Sequence, residues 1–236
     1  MKKIILILLL PIFLFSQEKS SDVVDLTLLD FYKSKDVETY EYRDLFIEQT
    51  NMIMKRSSDS IVIKKCKEYL DYLSKVKTIE GINVDLSKAS KEDLKLFYTN
   101  DDKYLKTKFL RHRKLDSEQI RLSIQIKNNK ALILMKVNYI SNDWLFLKYL
   151  TFLVGEDQIN INLKEVERNV NLGSINETSS FYVNDEIMQN LEKIIQSPTR
   201  IDFRFSGDKG YNDSFLTLNH IKKLKEVIDF VNKIKI

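Results

Sequence analysis

Ile120, Leu122, Ile124 and Ile126 alternate with polar neighbours, Asn128-Asn129 follows, and Ala131 to Tyr139 returns as a second apolar stretch. A two-residue period places apolar side chains on one face of a strand, and a tight asparagine turn joins antiparallel strands. The stretch therefore predicts a β-hairpin. It commits the C-terminal half of this 236-residue chain to a sheet. Downstream, Trp144 to Val154 is apolar on both faces and suits a central strand. Gly155-Glu156-Asp157 turns it into Gln158–Leu163, where Ile159, Ile161 and Leu163 alternate. Residues 168–183 fit neither period. Asn184 caps a predicted helix carrying Ile187, Leu191, Ile194 and Ile195, stopped before Pro198. Ile201, Phe203 and Phe205 form one face of another strand, and a last helix carries Ile221, Leu224, Ile228, Val231 and Ile234.

Upstream the period is helical, from residue 22 to about 114. Residues 22–34 read as a short helix. Tyr42, Leu45, Phe46, Met52 and Ile53 form one stripe, and Val62, Cys66, Tyr69, Leu70, Leu73 and Val76 form a second. Ser57-Ser58-Asp59-Ser60 separates them as a cap cluster, and Glu80-Gly81 reads as a helix exit. Ser90 with Asp93 resembles a capping box, which predicts a further helix through Leu94, Phe97, Tyr98, Leu105 and Phe109. The expected fold class is α+β: an N-terminal helical region over 17–116, and an α+β domain over 117–236 whose mainly antiparallel sheet is accompanied by two C-terminal-half helices.

Residues 1–16, MKKIILILLLPIFLFS, pair a lysine n-region with an apolar run ending at a small residue, the pattern of a secretory signal peptide. The run is short for a membrane span of about 20 residues. The alternative is an uncleaved anchor. The formal charge of +4 includes Lys2 and Lys3, so the basic balance is no argument for a nucleic-acid partner. The one cysteine, Cys66, falls in a helical stripe and reads as a buried thiol, with an intermolecular disulfide as the rival. Two histidines, His112 and His220, and no metal-ligand or catalytic motif leave no cofactor and no metal expected.

The sharpest local pattern is Arg204-Phe-Ser-Gly207-Asp-Lys-Gly210-Tyr211-Asn-Asp213, read as a strand-to-helix connection. Glycines permit positive φ or close approach, exposed amides with Lys209 could hold an anion, and an arginine can grip a carboxylate or phosphate bidentately. Arg200, Arg204, Lys209, Tyr211 and Asp213 are the candidate ligand residues. The plainer reading is a tight turn with Arg204 paired to Asp213 or Asp202 and Tyr211 packed over it. Trp144-x-Phe146, a turn at Gly155 and this late run before a terminal helix resemble the C-terminal region of uncharacterised exported bacterial proteins, over about residues 140–235. The resemblance implies envelope localisation and carries no activity.

Lys103 to Lys114 holds six cations, Lys103, Lys106, Lys108, Arg111, Arg113 and Lys114, without an acid and with Tyr104 and Phe109 interleaved. In an exported chain such a run suits an anionic envelope component or an acidic partner. The plainer reading is a helix C-terminus followed by a solvated turn. Trp144 reads as a core anchor, with a sugar-stacking platform as the rival. The sequence points first to a non-catalytic, periplasmic or secreted binding protein of the bacterial envelope, whose partner is an envelope protein or anionic component. A hydrolase without a local motif and a structural or inhibitor-like protein are the alternatives.

Overall fold

A computed structural model describes residues 21–33, 40–76, 78–103, 106–171 and 173–236. The proposed signal segment, Tyr104 and Leu105 lie outside them. The chain forms two compact units that divide between Thr78 and Ile79. It is an α+β protein: helical at the N-terminal end, then antiparallel sheet with two long helices in the C-terminal half. Among the described residues no helix is long and apolar enough to cross a membrane.

The first unit holds α1 (Ser21–Lys33), α2 (Tyr40–Arg56) and α3 (Ser60–Lys75). Asp59 starts α3 by accepting a hydrogen bond from the Ile61 amide at 2.6 Å. Val62, Cys66, Tyr69 and Leu73, one stripe at helical spacing, pack with Leu29, Tyr32, Phe46 and Ile53 into a core of their own. Cys66 is fully buried there, and burial raises its thiol pKa. Inside this unit the buried Asp25 carboxylate takes both arms of the Arg56 guanidinium.

The second unit contains two sheets over one continuous core. The larger has strand order β2 (Phe97–Asp102), β3 (Thr107–His112), β4 (Ile120–Lys127), β5 (Lys130–Ser141), β9 (Ser174–Tyr182) and β8 (Glu167–Asn171), with the two-residue β1 (Ile82–Asn83) on β5. The smaller has order β11 (Gly210–Leu216), β10 (Ile201–Gly207), β6 (Leu147–Val154) and β7 (Asp157–Asn162). Every pairing is antiparallel. The hairpin read from the sequence is β4–β5, turning on Asn128 and Asn129 with φ of 49° and 58°. Positive φ at both central residues matches the turn to the strand twist. α5 (Asp185–Ile195) is capped by Asn184, and α6 (Leu218–Ile234) by Thr217. α6 buries Ile221, Leu224, Val227, Ile228, Val231 and Ile234.

Three local expectations are corrected. The capping box of Ser90 and Asp93 forms, but its helix, α4 (Lys91–Lys95), has only five residues. The stripe beyond it is the hairpin β2–β3, whose Leu110 stands opposite Ile124 of β4 and extends the buried face. Second, β6 starts at Leu147. Trp144 is half-buried and stacked on Phe146 at 6.0 Å, and Phe146 has a φ of 54°. Third, the 204–213 run is the β10–β11 hairpin, turning at Asp208-Lys209, and helix α6 begins only at Leu218.

Buried Glu177 of β9 fixes where β6 begins. Its carboxylate accepts hydrogen bonds from the amides of Leu145, Phe146 and Leu147 at 2.6, 2.9 and 2.7 Å, and pairs with Arg168 at 3.2 Å. Three consecutive amides can converge on one carboxylate only if the backbone curls, which places Phe146 in the left-handed region. The curl carries the chain from the larger sheet into β6. Gly207 lies against it: a Cβ there would sit 2.3 Å from the Leu145 carbonyl oxygen.

Candidate functional site

The smaller sheet buries one face, through Leu150, Phe152, Ile159, Ile161, Phe203 and Phe205. Its register aligns the opposite side chains in three rows. Asn162, Tyr149, Ser206 and Tyr211 form the first. Asn160, Thr151, Arg204 and Asp213 form the second, and Gln158, Leu153, Asp202 and Phe215 the third. Polar groups fill the middle row, while apolar and aromatic groups stand in the outer two. The face holds an open concavity of about 620 Å³, lined by Thr151, Leu153, Asn160, Arg204 and Asp213 among others.

The charges on this face are internally matched. Arg204 donates from Nε and Nη2 to the two Asp213 carboxylate oxygens at 2.6 and 2.8 Å, the fork geometry of a bidentate pair. That pairing holds the Asp213 carboxyl below its usual range and raises Arg204. The same guanidinium lies 3.9 Å from the centroid of the Tyr211 ring, and Arg200 covers Phe215 at 5.0 Å while standing 3.4 Å from Asp202. Thr151 donates its hydroxyl hydrogen bond to Asn160 Oδ1 at 2.7 Å. The face therefore offers amides, hydroxyls and four large side chains with apolar surface: Tyr149, Leu153, Tyr211 and Phe215.

Of the candidate residues read from the sequence, Arg204, Tyr211 and Asp213 meet here, and Arg200 sits at its edge. Lys209 does not join them. It lies in the β10–β11 turn, where its backbone amide donates to the Leu145 carbonyl at 3.2 Å. Tyr149, Thr151, Leu153, Asn160 and Phe215 escaped the sequence reading. The apolar run 144–154 concealed the alternation of β6, in which Tyr149, Thr151 and Leu153 share one face and Leu150 and Phe152 the other.

The basic run is divided by its strand. Lys108 points to the side of buried Leu110 and His112, and ion-pairs with Asp101 at 3.1 Å. Arg111 points to the other side. Arg113 donates to the Lys95 carbonyl at 3.0 Å and covers the Tyr98 ring at 4.2 Å. Lys103, Lys106 and Lys114 are exposed.

Both histidines are buried, His112 against α6 and His220 within it. His112 Nε2 lies 2.9 Å from Glu226 Oε2, and its Nδ1 accepts from the Lys114 amide. His220, in the first turn of α6, is buried, and its Nε2 donates to the Ile120 carbonyl at 2.7 Å. Burial lowers both imidazole pKa values. Glu226, which sequence spacing could not place beside His112, orients the ring, but the ring itself is 1% exposed. Among the described residues, no three His, Cys, Asp or Glu side chains are grouped to hold a metal ion. Comparison with family models, curated proteins and solved structures finds no match to this chain.

Proposed function

We propose that this chain is an exported, non-catalytic binding protein of the bacterial envelope, and that it engages a protein partner through the outer face of its smaller sheet. One observation carries the reading: Tyr149, Leu153, Tyr211 and Phe215 are 46%, 45%, 64% and 49% exposed and all lie on that face. Apolar groups gathered on one rigid face, rather than scattered, mark an interaction surface. The surface is open, which suits another macromolecule better than a small ligand that needs enclosure. Its charges pair with each other, so the partner's matching surface is uncharged and mixed apolar and polar. The signal-like segment 1–16 and the resemblance of residues 140–235 to exported bacterial proteins support the location.

Native mass spectrometry of the protein recovered from its host's envelope tests both parts. The wild type is expected to lack its N-terminal segment and to carry a stoichiometric partner. The Leu153→Lys, Phe215→Lys double variant is expected to lose that partner about tenfold or more. Ile140→Lys, at an equally exposed site on the larger sheet, is expected to retain it. Equal recovery with all three proteins, or a bare mass for the wild type, overturns the binding face. A full-length mass overturns cleavage.

A further inference from the structure

Three cations stand together on the outward side of the larger sheet. Arg121 of β4 is directly opposite Lys136 of β5, and both alternate with buried neighbours: Ile120 and Leu122, Met135 and Val137. Arg111 of β3 is opposite Ser123, one diagonal step from Arg121. Opposed side chains in an antiparallel pair have Cβ atoms about 5 Å apart and diagonal ones about 7–8 Å, so like charges at these positions repel.

The surroundings supply little compensation. The Asp116 carboxylate is 3.7 Å from Arg111 and 3.8 Å from Arg121, too long for a hydrogen bond to either. Arg121 Nη1 donates to the Asp116 backbone carbonyl, but Arg121 Nε is buried and has no hydrogen-bond partner among the described residues. Partial burial, then the Arg121 charge, lowers the Lys136 pKa, against smaller opposing pulls from Glu167 and Asp116.

We infer that Arg111, Arg121 and Lys136 form a binding site for a phosphate group. A phosphate presents several acceptor oxygens in different directions, which suits the Arg111 fork, the remaining Arg121 donor and the Lys136 ammonium approaching from three strands. A carboxylate has only two oxygens, and Asp116 already brings one carboxylate to the cluster. A bound phosphate adds a second anion beside Asp116 to three mutually repelling cations, and offers acceptors to the Arg111 guanidinium and the Lys136 ammonium. This site is separate from the face of the smaller sheet and does not depend on the function proposed for it.

The test uses the full mature chain with inorganic phosphate, and with vesicles of phosphatidylglycerol against phosphatidylcholine. Phosphate is expected to raise the melting temperature above that in chloride of equal ionic strength, and Arg121→Gln with Lys136→Gln is expected to abolish the rise. In chloride, Lys136→Gln alone is expected to melt roughly 1–3 °C higher than wild type, because it removes a cross-strand repulsion. Arg111→Gln, at a side chain 58% exposed, tests the site without disturbing a buried atom and is expected to weaken phosphate binding about tenfold. Lys225→Gln, at an exposed lysine paired with Asp229, is the control that changes nothing. A response to free phosphate without vesicle binding identifies a soluble phosphate compound. Phosphatidylglycerol binding that the double variant loses identifies a lipid headgroup. A wild type that responds to neither, or a double variant that keeps the wild-type response, overturns the site.

Discussion

Glu177 is an acid fully removed from solvent, and its stability comes from three amide donors and one guanidinium. Truncating it leaves those three amides without their acceptor. Glu177→Ala is therefore expected to lower the stability of the second unit by about 3–5 kcal/mol, read from urea denaturation. A loss below about 1 kcal/mol would show that water replaces the carboxylate. The histidines give a pH dependence. Burial depresses the folded-state pKa of His112 and of His220 below the ordinary value of 6.5. The unfolded chain then binds more protons, so stability is fully present above about 6.5 and is lost as pH falls through the folded values. Protonating His112 Nδ1 would also set an N–H against the Lys114 amide that it accepts from. Melting temperature is expected to fall between pH 7.5 and 5, with a flatter profile in His112→Gln, His220→Gln. An unchanged profile assigns the acid sensitivity to carboxylates instead. None of this was legible locally: nothing around residue 177 announces a buried acid, and His112 meets Glu226 across 114 positions.

At the scale of elements, the hairpins β4–β5 and β6–β7 were readable, because a period of two and a tight turn are both local properties. The hairpin β2–β3 was not. Phe97, Tyr98 and Phe109 also fit a helical spacing, and a real capping box stands just before them. The open edge of β4 decides the matter, since β3 on that edge buries Leu110 beside Ile124. The β10–β11 turn illustrates a second kind of non-local control. Gly207 is required by the curl at residues 145–147, some sixty positions earlier, rather than by its own turn. Gly207→Ala is expected to cost about 3 kcal/mol or more by driving a methyl into backbone that Glu177 holds in place. Gly155→Ala, at a φ of 63° with open space around it, is expected to cost only about 1 kcal/mol. Equal losses would refute the close-approach argument.

For the whole molecule, the two apolar cores share no residue: one is confined to α1–α3 and the other to residues 84–234. Each unit is expected to unfold with its own transition, Asp25→Asn shifting only the first and Glu177→Ala only the second. Hydrogen exchange resolved by segment checks this, and a single transition moved by both variants would refute it. The sequence by itself determined the α+β class, the three N-terminal helices, the caps and the hairpins whose periodicity is unbroken, because each depends on side chains within a few positions of one another. Only the tertiary structure decided that residues 97–112 are strands, that the strands divide into two sheets, and that Arg204 and Asp213 share a face with Tyr149 and Leu153. It likewise brought Arg111, Arg121 and Lys136 together. Those placements follow from register, which is set by which strand edges are available and which apolar faces must be covered, and these are properties of the folded chain rather than of any window within it.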